Sequence, residues 1–126
     1  MAIMSMTEIT LAGPGGSKPY TSFPADFGAW LSNRSEFKVV GSEAVTIGGR
    51  AATQIDADFV WVADSPVYAF LNGWLYDQYT KDNRARFVVV PLPEGAGIVV
   101  MMEAKIADFD QSAAALDQLL TGLTFR

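Results

Sequence analysis

The order of apolar and polar residues divides the chain into a few elements. Phe23, Phe27, Trp30 and Leu31 recur on one face at helical spacing, which predicts a helix from about Pro24 to Asn33. Ser22 is the expected N-cap, and Pro24 suits the first turn. Two strands follow. Phe37 and Val39, then Val45 and Ile47, read as one side at period two, with a bend or bulge at Gly41-Ser42. Gly48-Gly49 is a hairpin turn signal. Beyond it, Ala51, Thr53, Ile55, Ala57, Phe59 and Trp61 form the expected core face. Ala52, Gln54, Asp56, Asp58, Val60 and Val62 alternate with them and read mostly as solvent-facing.

The middle is less regular. Asp64-Ser65-Pro66 breaks the chain, Val67 to Leu71 fits a short strand or a helical turn, and Asn72-Gly73 is a turn pair. The last third is clearer. Phe87 to Leu92 predicts a strand and Pro93 to Gly97 a turn. Ile98, Val100, Met102, Ala104 and Ile106 give one face of the next strand. A terminal helix is expected from Asp108, with a capping box to Gln111. Phe109, Ala113, Leu116, Leu120 and Leu123 make an amphipathic stripe for packing on a sheet. Residues 1–21 lack such patterning and are expected to be a flexible N-terminal segment, with a short strand at Glu8 to Leu11. The remaining residues, 22–126, form one domain. Hairpin connections between flanking helices imply an α+β fold: an antiparallel β-sheet with N- and C-terminal helices packed on it.

Composition narrows the chemistry. The 126 residues include no His and no Cys, which removes imidazole- and thiolate-based catalysis, zinc sites and thiol redox chemistry. Carboxylates, hydroxyls, backbone groups and nine Lys/Arg remain. The formal net charge of −5 argues against a nucleic-acid partner and against electrostatic binding to an anionic membrane. No apolar run is long enough to cross a membrane as a helix, so no direct membrane insertion by this segment is expected. Residues Met1 to Met6 lack the charged and apolar regions of a signal peptide. Gly13-Pro14-Gly15-Gly16-Ser17-Lys18 departs from the phosphate-loop order. Nothing in the sequence calls for a cofactor or a metal.

Three constellations remain. Asp56 and Asp58 share a strand face and suit acid–base work or calcium ligation only if the environment departs from solvent exposure. Lys81, Arg84 and Arg86 form a basic cluster, which also reads as an exposed basic strand edge. Tyr68, Phe70, Trp74, Tyr76 and Tyr79 concentrate aromatic surface around the Asn72-Gly73 turn. That density predicts a ligand or partner site at 68–79, with Tyr68, Trp74, Tyr76 and Tyr79 as contacts and Arg84 and Arg86 at the rim.

Three segments carry a family resemblance. Phe23 to Leu31 followed by Phe37-Lys38-Val39 is similar to a helix-and-strand opening with a Trp-Leu pair. Val45-Thr46-Ile47-Gly48-Gly49-Arg50-Ala51-Ala52 with Ile55-Asp56 is similar to a glycine hairpin. The strands from Arg86 to Met102, with Phe109-Asp110 and Leu119 to Phe125, are similar to its closing strand pair and helix. This layout resembles the PsbP/Mog1-like α/β sandwich, which includes the LpqN-type lipoproteins and related actinobacterial envelope proteins. The resemblance implies a non-catalytic binding or accessory domain, secreted or at the cell envelope. A chain natively starting at Met1 would be cytoplasmic. The expected partner is a protein or a small apolar or sugar-like molecule, with a homodimer as a further option. The alternatives are a small carboxylate-based hydrolase or isomerase, and a structural oligomerisation domain.

Overall fold

Gly48 and Gly49 both take positive φ, 57° and 80°, the conformation a two-residue hairpin turn requires and other residues resist. This turn joins the two strands that organise one side of a five-stranded antiparallel sheet in the computed structural model. The structure describes residues 2–6, 8–9, 11–13, 16–17, 21–22, 25–33, 37–59, 67–69, 77–79, 82–92 and 96–122, with side chains described from residue 25 onward except at 67–69, 77–79 and 96.

In chain order the elements are β1 (Ala2–Met6), β2 (Glu8–Ile9), β3 (Leu11–Gly13), β4 (Gly16–Ser17), β5 (Thr21–Ser22), α1 (Phe27–Ser32), β6 (Phe37–Ile47), β7 (Arg50–Phe59), β8 (Val67–Ala69), β9 (Asp77–Tyr79), β10 (Asn83–Leu92), β11 (Ala96–Lys105) and α2 (Phe109–Thr121). Four long strands and the short β1 make the main sheet, ordered β1-β11-β10-β7-β6. The chain is thus an α+β fold, as its pattern predicts. β2 pairs with β5, and β4, β3, β8 and β9 form a separate small sheet. Val67–Ala69 is therefore strand, which decides between the two options for that stretch. A strand also occupies Ala2–Met6, where the sequence lacks pattern, because its partner β11 supplies the register from the far end of the chain.

Both faces of the sheet are covered. One core cluster joins Phe27 and Leu31 of α1 to Phe37, Ile55, Ala57, Phe59, Ala85, Phe87, Val89, Val99 and Met101. The other joins Phe109, Ala113, Leu116 and Leu120 of α2 to Ile47, Ala52, Val88, Val90, Val100 and Met102. Strands buried on both faces carry continuous apolar runs rather than alternation. That explains Phe87 to Val90 and Val99 to Met102, and it corrects the one-faced reading of the last strand. Ile106, expected on that face, is instead 43% exposed in a 3-10 turn before α2.

A second correction concerns β6. The register slips between Val39 and Gly41, so Val40 is an extra, exposed residue. The bulge consumes one position, and period two changes face across it. Phe37 and Val39 consequently face α1, while Val45 and Ile47 face α2.

The helices are shorter than their patterns. α1 starts after Asp26, whose Oδ1 accepts from the Ala29 amide at 2.9 Å, so Asp26 rather than Ser22 is the cap. A Cβ on Gly28 would lie 3.4 Å from Ile55 Cδ1, so this side of α1 packs directly on the sheet. Asp108 precedes α2 but makes no side-chain capping bond, so the expected box with Gln111 is not formed. The preceding 3-10 turn is held by the Ile106 amide, which donates to the Asp82 carbonyl at 2.9 Å.

Candidate functional site

The α2-facing side of the sheet carries most of the described ion pairs. Antiparallel register places Asp58 opposite Arg84 and Asp56 opposite Arg86 on β7 and β10. Opposed residues share a face with their Cβ atoms within reach, so opposite charges there attract. Arg86 donates through Nε to Asp56 Oδ1 at 2.8 Å and through Nη2 to Oδ2 at 3.0 Å. Arg84 engages Asp58 in the same bidentate way, through Nε to Oδ1 and Nη2 to Oδ2. Both guanidinium carbons lie 5.4 Å from the centroid of the Phe109 ring, which covers them from α2. The hydrogen bonds to Asp58 and Asp56 hold both arginines above the ordinary guanidinium range, against the opposing effect of burial.

This arrangement corrects two expectations. Asp56 and Asp58 are not a solvated face: they are half-buried and paired. Arg84 and Arg86 are not on an exposed strand edge, because β10 is an inner strand of the sheet. Both oxygens of each carboxylate accept from a guanidinium.

The ladder ends at a cleft. Arg86 Nη1 lies 3.5 Å from Asp117 Oδ1 on α2, and Asp117 is 61% exposed where Arg86 is 13% exposed. Here the space between α2 and the β6–β7 hairpin opens into a cavity of about 390 Å³. Val45, Ile47 and Leu120 supply its apolar surface, and Glu43, Gln54, Arg86 and Asp117 its polar groups. Glu43 and Gln54 are directly opposed across the hairpin, and Gln54 Nε2 donates to Glu43 Oε1 at 3.0 Å. The Thr121 hydroxyl donates back to the carbonyls of Asp117 and Gln118, an internal bond of α2. The cleft therefore presents carboxylate acceptors beside aliphatic surface. Among the described residues its lining holds one cation, Arg86, whose Nε and Nη2 donate to Asp56 and whose Nη1 faces Asp117.

Of the six residues expected to bind, Arg84 and Arg86 are brought together on one face, and Arg86 lines the cleft. Tyr68 and Tyr79 belong to β8 and β9, which pair with each other, but their side chains lie outside the described residues, as do Trp74 and Tyr76 entirely. Glu43, Gln54 and Asp117 were not singled out from sequence. The first two were within reach: the Gly48-Gly49 turn sets the register, and counting back from Ile47 and forward from Arg50 places Glu43 opposite Gln54. Asp117 had no such signal, since it sits on the polar side of an amphipathic stripe.

Among the described residues, no group of three or more acidic side chains is placed to hold a metal ion, and no helix is long and apolar enough to cross a membrane. No protein-family model, curated protein or solved structure matches the chain.

Proposed function

We propose that this chain is a non-catalytic binding domain whose ligand seats in the cleft between the β6–β7 hairpin and α2. The cleft itself carries the reading: about 390 Å³ of space with an aliphatic floor and a few convergent polar groups. The committed state of Asp56 and Asp58 favours binding over carboxylate catalysis. The order of helix, antiparallel strands and helix, with a helix on each face of the main sheet, supports a PsbP/Mog1-like sandwich as its fold family. That kinship would place the domain at a cell envelope, as an accessory to another protein or a binder of a small molecule.

The test is a thermal-shift screen of the whole chain against amines, amino acids, sugars, nucleotides and lipids. A ligand at 100 times its dissociation constant stabilises by about 2.7 kcal/mol. That corresponds to a rise of roughly 5–10 °C for a domain of this size. Thr121→Trp, which places a large ring at the exposed rim of the cleft, removes the shift if the reading is right. A shift that survives Thr121→Trp and disappears in Trp74→Ala moves the site to the aromatic segment and ends the cleft reading.

A further inference from the structure

Among the described residues β6 is the terminal strand of the main sheet, and Gly41 to Ala44 and Thr46 are exposed along it. A terminal strand offers backbone N–H and C=O groups to an incoming strand. The bulge at Val40 interrupts the ladder, and Lys38 lies just before it; both features discourage edge pairing in that half. From Gly41 to Ile47 the register with β7 is regular. This regular half is the one that borders the cleft, through Glu43, Val45, Thr46 and Ile47.

We infer that the cleft and this edge together form one site for an extended basic peptide, added as a sixth strand with a Lys or Arg side chain entering the cleft. The inference rests on the cleft being the ligand seat and names what fills it. The pattern follows from strand geometry. Residues of an added strand that lie opposite Glu43, Val45 and Ile47 point to the α2 side, and those opposite Ser42, Ala44 and Thr46 point away. A basic residue opposite Glu43 meets that carboxylate and Asp117 across the cleft. Apolar residues opposite Val45 and Ile47 continue the aliphatic floor. In antiparallel sense the peptide reads apolar, any, apolar, any, basic. Charge selects the same partner class. The chain carries −5, which draws in a cationic segment and repels a second copy that would bring its own Glu43 to the edge. The bulge leaves a regular edge from Gly41 to Ile47, enough for a short peptide.

The probe is acetyl-Val-Thr-Val-Thr-Lys-Thr-amide, titrated into the nitrogen-15-labelled full chain. The amides of Ser42 to Thr46 shift, and the alternate ones directed away from β7 gain protection from exchange. Replacing the peptide Lys by Glu weakens binding by about tenfold or more. Glu43→Gln weakens the Lys peptide by several-fold and leaves the Glu peptide unharmed. Methylating alternate peptide nitrogens abolishes binding without touching the protein. Equal binding of the Lys and Glu peptides overturns the inference, and so does binding that leaves the β6 amides unprotected. A concentration-dependent dimer with β6 protected in the absence of peptide also overturns it, assigning the edge to a second copy. If no peptide binds while a small molecule perturbs the cleft residues, the peptide inference fails and the cleft reading stands. If nothing perturbs the cleft, both fail.

Discussion

Removing Asp56 exposes the energetics of the charge ladder. In Asp56→Ala, Arg86 loses the partner of its Nε and Nη2 donors, and its side chain is 13% exposed. What remains is Asp117 at 3.5 Å, a residue 61% exposed and therefore strongly screened. Hydrogen bonds to charged groups contribute about 1.5–3 kcal/mol, and a buried charge left unpaired costs more. Partial hydration of Arg86 moderates this, giving a loss of about 2 kcal/mol, or roughly 8 °C in Tm. Arg86→Met strands Asp56 in the same way and costs a similar amount. The double variant Asp56→Leu/Arg86→Met removes both charges together and loses about 1 kcal/mol or less, because two aliphatic side chains replace a pair that had to be desolvated. Urea denaturation of the wild type, Asp56→Leu, Arg86→Met and the double variant closes the cycle, with an expected coupling of about 3 kcal/mol. Additive losses would refute the view that the pair acts as a unit. The pH dependence supplies a further check. A cation whose folded-state value is raised contributes stability that is fully present below its unfolded value and is lost only as pH rises through the folded one. For a guanidinium that window lies far into alkali, so the Arg86 contribution stays constant from neutral to mildly alkaline pH.

One substitution and two deletions test the core. Phe87 is fully buried and its ring lies 5.7 Å from Phe27 and 6.3 Å from Phe37, so Phe87→Ala lowers the unfolding free energy by about 3–5 kcal/mol in urea denaturation. Deleting Val40 removes the bulge yet leaves every β6 side chain on its present face, costing about 1 kcal/mol or less; deleting Val40 and Gly41 together turns Val45 and Ile47 away from α2 and costs about 3 kcal/mol.

The elements that local pattern specifies are those the chain reports directly. The stripe Phe109, Ala113, Leu116 and Leu120 is the buried face of α2, and Ile55, Ala57 and Phe59 are buried on β7 as their alternation requires, whereas Ala51 and Thr53 of the same expected face are exposed and Ala52 is buried instead. The Gly48-Gly49 turn is where its sequence places it. What pattern misses depends on distant partners. Arg84 and Arg86 look like an exposed basic cluster because Asp58 and Asp56 are more than 25 residues away, across a stretch whose sequence pattern gives no register. The bulge at Val40 was foreseen near Gly41-Ser42, but its consequence for Val45 and Ile47 was not, since alternation alone does not say which residue the ladder skips. β11 reads as one-faced from its even-numbered residues, although Val99 and Met101 are apolar too; only the helix on each side of the sheet explains both sets. The aromatic segment 68–79 stays an expectation from sequence, with its side chains outside the described residues.

An arginine in the wall of a cleft suggests an anion site, and the ladder argues the reverse. An anion that takes the Nε and Nη2 donors of Arg86 must displace Asp56, and the Asp56→Ala loss above sets that displacement at about 2 kcal/mol, roughly a thirtyfold penalty on affinity. The anion would also meet Glu43 and Asp117, which line the same space. A cation pays neither cost. Asp56 holds the guanidinium against the sheet and Phe109 covers it from α2, so the outward carboxylates set the potential in the cleft. Pairing across β7 and β10 thus fixes the back wall before any ligand arrives, and a rigid wall spares the ligand the ordering cost of assembling it. Loosening the wall should therefore change selectivity as well as stability: Asp56→Ala frees Arg86 to bind anions, and the Lys peptide loses its advantage over the Glu peptide. If that preference is unchanged in Asp56→Ala, the ladder is only a brace for the sheet and does not set what the cleft accepts.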